Sequence, residues 1–257
     1  MRQTFLAGGM LFLGALGASS ATPEGETLAH RLYASYERIK TVSCEMRKTT
    51  RTSAGTVRLL SRVSFRNPDC LHVENVSPHH RRIVADGKNL YYYEDDAKAG
   101  FSRPIPQLTD AWLASLRNIP ATPVDHLTRL KDLPEVVLPP TPDFPRRAGY
   151  EATNLYVVLS CDSTGRLARL DFYPSAKMEK KTASYEYSNF TRVDDDCWIP
   201  CTQKATISLP EGEELTETRL ISDLAVNTPI PDTMFAADLF FKNVEFTDQF
   251  DKTYAPK

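Results

Sequence analysis

Cysteine is scarce and odd in number: Cys44, Cys70, Cys161, Cys197 and Cys201 are the five in 257 residues. That is too few for a disulfide-dense scaffold, and it leaves at least one thiol unpaired. Cys44 and Cys70 fall on strands expected to lie two apart. Cys197 and Cys201 on one strand stand about 13 Å apart at roughly 3.3 Å per residue. Both separations exceed disulfide reach, which ends near ~7 Å between Cα atoms. Cys161 with Cys197 or Cys201 is the pairing left open. Histidine is as scarce, and none follows His126, so Cys197 and Cys201 lack the imidazoles a zinc site would need. There is no Gly-Lys-Ser phosphate loop, no Gly-x-Ser-x-Gly elbow and no Cys–His pair at a spacing that argues nucleophilic catalysis. The sequence therefore points to a non-enzymatic protein without metal or cofactor. Excess charge of one sign is missing too, with 31 basic against 33 acidic side chains, and nothing suggests a nucleic-acid partner.

Long apolar runs are likewise absent. The stretch at residues 5–16 falls short of the roughly 20 residues that span a bilayer, and polar residues follow at once. With Arg2 ahead of it and Ser19-Ser20-Ala21 behind, it reads as a signal peptide over 1–21, cleaved after about Ala21. No cysteine follows that cut, so the mature chain lacks a lipoprotein anchor and is expected to be soluble and periplasmic. Without Arg2 it carries about −3, from 30 basic and 33 acidic side chains. A chain spanning 22–257 is of a size at which β-barrels form one domain.

What is present is periodicity. Leu28, Leu32, Tyr36 and Ile39 draw an apolar stripe at helical spacing, with Thr27 placed to cap the helix. From Thr41 the period falls to two. Val42, Cys44 and Met46 alternate with polar residues, and after the Ala54-Gly55 turn Val57, Leu59, Val63 and Phe65 keep one parity. Further strands run through Leu71 and Val73, through Ile83 and Val84, and from Leu90 to Tyr93. Residues 107–131 return to helical spacing as two short helices, the first carrying Leu108, Trp112, Leu113 and Leu116. A proline-rich connector occupies 134–149, too loaded with proline for a central strand or long helix. The second half reads as a meander, with strands near 155–159, 167–173, 184–193, 198–209 and 214–224 and a last short helix at 232–240. The fold class is α+β, mainly β, with about ten or eleven strands whose regular spacing suggests a single wide sheet or barrel behind an N-terminal helix.

Val42, Met46, Leu59, Val63, Phe65, Leu71, Val73 and Tyr92 share the parity of one sheet face. Such a face is either ordinary core or the wall of a cavity, and period does not measure volume. His79-His80-Arg81-Arg82 reads as a solvated turn between strands or as a basic patch at the rim for acidic headgroups or a partner. Asp194-Asp195-Asp196 suits a solvated hairpin turn and lacks the spaced oxygens of a calcium loop.

The run Arg66-Asn67-Pro68, then Leu71-His72-Val73, then Ile83-Val84-Ala85-Asp86-Gly87-Lys88-Asn89-Leu90-Tyr91-Tyr92-Tyr93 resembles the outer-membrane lipoprotein carrier family, LolA-like, over residues 27–93 and more weakly to about Phe241. The resemblance implies an open, unclosed antiparallel barrel with short lid helices over its mouth, whose apolar interior receives the acyl chains of a lipoprotein in transit from inner to outer membrane. The wall would be the eight residues named above, under a lid of Trp112, Leu113 and Leu116. It also implies an inner-membrane transporter and an outer-membrane receptor as partners of a monomer. In that family an arginine just before the proline bonds the lid from inside. Here Asn67 stands at that place and Arg66 beside it, so these two are the latch candidates, and an uncharged Asn makes the weaker one. Two other readings stand beside the carrier: a sensor of the same fold that binds lipoproteins and signals to a membrane partner, and an envelope module with a fully packed core.

Overall fold

The computed structural model describes residues 26–95, 98–209 and 212–248, and the signal-peptide reading at 1–21 lies outside them. Helix α1 (Leu28–Glu37) opens the described chain, with the Thr27 hydroxyl accepting from the His30 amide at 3.1 Å as its cap. Strands β1 (Thr41–Thr52) and β2 (Gly55–Arg66) form a twelve-residue hairpin, and β3 (Cys70–Ser77), β4 (Arg81–Asp86), β5 (Asn89–Glu94) and β6 (Ala99–Pro104) follow as a meander. Helices α2 (Asp110–Arg117) and α3 (Val124–Leu130) come next. Then strands β7 (Glu135–Leu138), β8 (Arg146–Ala152), β9 (Leu155–Cys161), β10 (Leu167–Tyr173), β11 (Ala183–Arg192), β12 (Trp198–Ser208) and β13 (Glu214–Val226) run in sequence. All thirteen belong to one antiparallel sheet in the order β6-β5-β4-β3-β2-β1-β13-β12-β11-β10-β9-β8-β7. The long strands β1 and β13 close the two meanders onto each other in the middle. Strands β6 and β7 are the two edges, so the sheet curls without closing.

Among the described residues the strand count exceeds the ten or eleven expected. The three additions are β6, β7 and β8, and all lie at or beside an edge. The proline-rich segment 134–149 holds β7 and the start of β8. Prolines 139 and 140 follow β7 directly, and an edge strand tolerates them because no ladder bond is needed beyond it. Gly149 of β8 is obligatory in this packing, since a Cβ there would lie 1.9 Å from the Tyr156 hydroxyl.

Register settles which side chains face inward. Phe65 pairs with Leu71, Leu71 with Ala85 and Ala85 with Leu90, while Val63 pairs with Val73, Val73 with Ile83 and Ile83 with Tyr92. These rows line the concave face. Helices α1 and α3 lie in the concavity, where Leu28, Tyr36, Ile39 and Leu127 pack onto Val42, Val63, Phe65, Leu159 and Ile199. A buried network fixes the start of α1 to the far edge. The Tyr150 hydroxyl accepts from the Ala29 amide at 2.9 Å and donates to Glu135 Oε2 at 2.7 Å, while the Leu28 amide donates to the same carboxylate. The Asp86-Gly87-Lys88-Asn89 segment makes the β4–β5 turn: Asp86 Oδ1 accepts from the amides of Lys88 at 2.8 Å and Asn89 at 2.7 Å. Gly87 takes φ +89° there, which an L side chain rarely adopts.

All five cysteines are free, including Cys161, Cys197 and Cys201. Burial pushes the thiols of Cys44 and Cys161 up to about 12 and that of Cys197 to about 11, so they stand protonated and unreactive within the core.

The convex face is not bare. Past β13, a 3-10 turn (Asp232–Phe235), helix α4 (Ala237–Phe240) and the chain to Thr247 strap across the outer side of β3 to β6, and Thr247 bridges Phe101 in parallel. Phe240 lies 4.5 Å from the His72 ring and under the Arg82 guanidinium at 4.9 Å. Tyr91 and Tyr93 each meet Phe241 at 6.0 Å. Burial first, and the Arg82 charge second, push the His72 imidazole below its usual 6.5, with Glu74 opposing. A depressed folded-state value means that the folded chain binds fewer protons than the unfolded one. The contribution is therefore full above about pH 6.5 and is lost as the pH falls through the folded value. The melting temperature is expected to drop between pH 7.5 and 5, and His72→Phe to shrink that drop. Equal drops in both proteins would refute this reading of the strap.

Candidate functional site

The β1–β2 and β3–β4 turns lie at the end of the sheet opposite the one at which α1 leads into β1. There, on the concave side, an open pocket of about 540 Å³ is walled by β1 through β5. Its size falls in the range of roughly 300–1,000 Å³ usual for small-molecule sites. Val57 and Leu59 supply an apolar wall; Lys48, His79, His80 and Arg81 stand around it. The basic turn that the sequence left between solvated loop and rim patch is thus at a pocket mouth. Lys48 faces Glu217 at 3.4 Å, and Arg81 donates to the Tyr92 hydroxyl at 3.3 Å, which itself donates to Glu94 at 2.7 Å. These partners hold the cations in place and temper the positive charge.

The eight residues of the inward parity divide by position along the strands. Val42 and Phe65 are completely buried and Val63 nearly so, packed under α1 and α3. Met46, Leu71 and Val73 are half-buried against the same core. Tyr92 is buried and stacks on Phe101 with centroids 5.6 Å apart. Leu59, nearest the hairpin turns, lines the pocket. The helices fill one end of the concavity and leave the other open, a distribution that strand alternation alone does not encode.

Over β3 to β6 a second cluster forms beneath α2. Leu116 is buried with Ala85, Leu90, Ile105 and Leu108, while Trp112 and Leu113 pack against them half-exposed. Trp112 meets Phe101 edge-on at 5.7 Å. Of the two latch candidates, Asn67 is exposed at the β2–β3 turn, where its amide donates to the Lys40 carbonyl at 2.8 Å. Arg66 points to the convex face, where it pairs with Asp232 and lies 4.8 Å from the Phe235 ring. The tie between the β2–β3 turn and α2 is made by different residues and in the reverse sense. Arg117 of α2 grips Asp69 with both arms of its fork, Nε to Oδ1 at 2.7 Å and Nη2 to Oδ2 at 3.2 Å. Asp69 sits two residues from Asn67, and its charge next to the turn proline was the available signal.

Asp194-Asp195-Asp196 is an ion-paired hairpin turn, with Arg38 meeting Asp194 at 3.2 Å and Asp196 at 3.8 Å and Arg192 meeting Asp195. Among the described residues no cluster of His, Cys, Asp and Glu is arranged to hold a metal ion, and no helix is long and apolar enough to cross a membrane.

No protein-family model matches the sequence, and no curated protein does. Solved structures do match the fold. A LolA superfamily protein from Nitrosomonas europaea superposes with a TM-score of 0.51 at 16% identity, over 82% of this chain and 97% of the other. A domain from Vibrio parahaemolyticus assigned to outer membrane lipoprotein sorting gives 0.52 at 12% identity, over 82% and 96%. A DUF1329 family protein from Desulfovibrio piger gives 0.54 at 12% identity, over 82% and 95%. The unclosed sheet, the helices lodged in its concavity and the lid helix between its halves are thus a LolA-like fold, which is the fold of this chain.

Proposed function

We propose that this chain is a non-enzymatic carrier that shelters the acyl chains of a lipoprotein, or of another lipid, on the concave face of its sheet. The observation that carries the proposal is the open pocket of about 540 Å³ at the hairpin end, with Val57 and Leu59 as its apolar wall. Each methylene withdrawn from water contributes about 0.8 kcal/mol, so a partly inserted chain suffices for reversible binding. Handover then needs only a pocket that opens to solvent on one side. The shared fold supports the reading by analogy, since one of the superposed structures is a domain assigned to lipoprotein sorting. In this reading residues 1–21 direct export and are removed near Ala21. The mature chain works as a periplasmic monomer between an inner-membrane transporter and an outer-membrane receptor.

Protein purified from the periplasm is expected to release a bound lipid on organic extraction and to show it as an added mass in native mass spectrometry. Repeated recovery of empty protein that also fails to keep a lipopeptide in solution would overturn the proposal.

A further inference from the structure

At the opposite end of the sheet a second pocket, of about 450 Å³, lies between the outer side of α1 and the turns of the second meander. Arg31 and Arg38 reach it from α1 and Arg146 from the start of β8, while Asp196 and Glu26 stand at its border. Arg31 is the anomaly. Its Nε and Nη2 are both buried, and neither has a hydrogen-bond partner among the described residues. A guanidinium keeps its charge at any ordinary pH and carries five donors. A buried donor without an acceptor is destabilising, more so when charged, and native structures hold few such groups. The two bordering acids are engaged elsewhere, Asp196 with Arg38 at 3.8 Å and Glu26 with His30 at 3.6 Å. Among the described residues none of the ion pairs within 4.0 Å involves Arg31.

We propose that this pocket binds a phosphate-type oxyanion carried on a small organic body, with Arg31 gripping the anion from the floor and Arg146 from the exposed rim. Planar guanidinium forks match phosphate oxygens two at a time, which a lysine ammonium does not. The volume supports a body attached to the anion: at about 30 Å³ of liquid per water molecule, a bare oxyanion leaves most of the space unfilled. Such a group is the headgroup of an anionic phospholipid or a free phosphomonoester. The site stands at the other end of the sheet from the acyl pocket and is independent of it.

The test uses the full chain with glycerol 3-phosphate as soluble probe and phosphatidylcholine vesicles with and without phosphatidylglycerol. Glycerol 3-phosphate is expected to raise the melting temperature of the wild type, and Arg146→Gln, at an exposed position, to bind it at least tenfold more weakly. Arg31→Met is expected to abolish the response and also to raise the melting temperature of the ligand-free protein by about 2–4 °C, the shift that roughly 1 kcal/mol produces in a chain of this size. An arginine with a structural role would lower it on replacement. Vesicle co-flotation assigns the source: capture by phosphatidylglycerol vesicles that Arg31→Met loses means a lipid headgroup, and a soluble response without capture means a free phosphate ester. A lower melting temperature for ligand-free Arg31→Met, a response that survives both variants, or no response to either probe overturns the proposal.

Discussion

Phe65→Ala is expected to cost about 3–5 kcal/mol of stability, the range for removing a large aromatic ring from a packed core. Phe65 has no exposed surface and sits on β2 opposite both Val42 and Leu71, under the helices that fill the concavity. Its neighbours belong to two strands and a helix pair that are themselves tied down, so collapse onto the vacated space is limited and the cavity term is kept. Denaturant unfolding should show a lower midpoint at unchanged slope. Lipid binding by the fraction still folded should be close to that of the wild type. A loss of lipid binding without a loss of stability would move Phe65 from core to ligand wall and reverse the assignment of that end of the sheet.

Phe65 also shows where sequence reasoning stops. The alternation of Val63 and Phe65 with Arg62, Ser64 and Arg66 made the strand and its inward face legible, because a period of two has one structural meaning. The stripe Leu28, Leu32, Tyr36, Ile39 did the same for α1, with Thr27 as its cap. What such a face packs against is decided by chain far away. Leu127 and Tyr150 reach this core from the middle of the sequence, and nothing local in β2 announces them. Edge strands escaped for a different reason. In β7, Val136 and Val137 point to opposite faces of the sheet and are both exposed, so the strand carries no inward–outward alternation, and the prolines next to them are signs of a loop wherever the strand is central. The strap across the convex face escaped because its stabilising contacts are aromatic. The short helix expected at 232–240 is there as α4, but Phe241 and Phe246 beyond it follow no strand or helix period, and their partners Tyr91 and Tyr93 read as the outward, solvent-facing residues of β5. The lid tie was legible only to its neighbourhood: the turn at Asn67 is the right place, but the charge belongs to Asp69 and the arginine to α2.

Leu59→Glu is expected to do the opposite of Phe65→Ala: little change in stability and a loss of acyl binding of at least a hundredfold. Leu59 lies on the same strand and the same face, six residues nearer the hairpin turn, where the helices no longer cover the sheet and solvent reaches the wall. A carboxylate there remains hydrated in the empty protein, and Lys48, paired across the strands with Leu59, can accept its charge, so folding is scarcely disturbed. With a lipid in place the same carboxylate must lose its water against methylenes. The cost of stripping water from a charge outweighs the about 1.5–3 kcal/mol gained by burying a leucine side chain. Leu59→Ala, which only thins the wall, should weaken binding by roughly tenfold, about 1.4 kcal/mol. The pair of variants separates charge from shape, and lipid retention in native mass spectrometry reads both. If Leu59→Glu unfolds the chain as Phe65→Ala is expected to, the hairpin end is packed core as well. If it folds and still holds lipid at wild-type strength, the acyl chains lie elsewhere on the molecule.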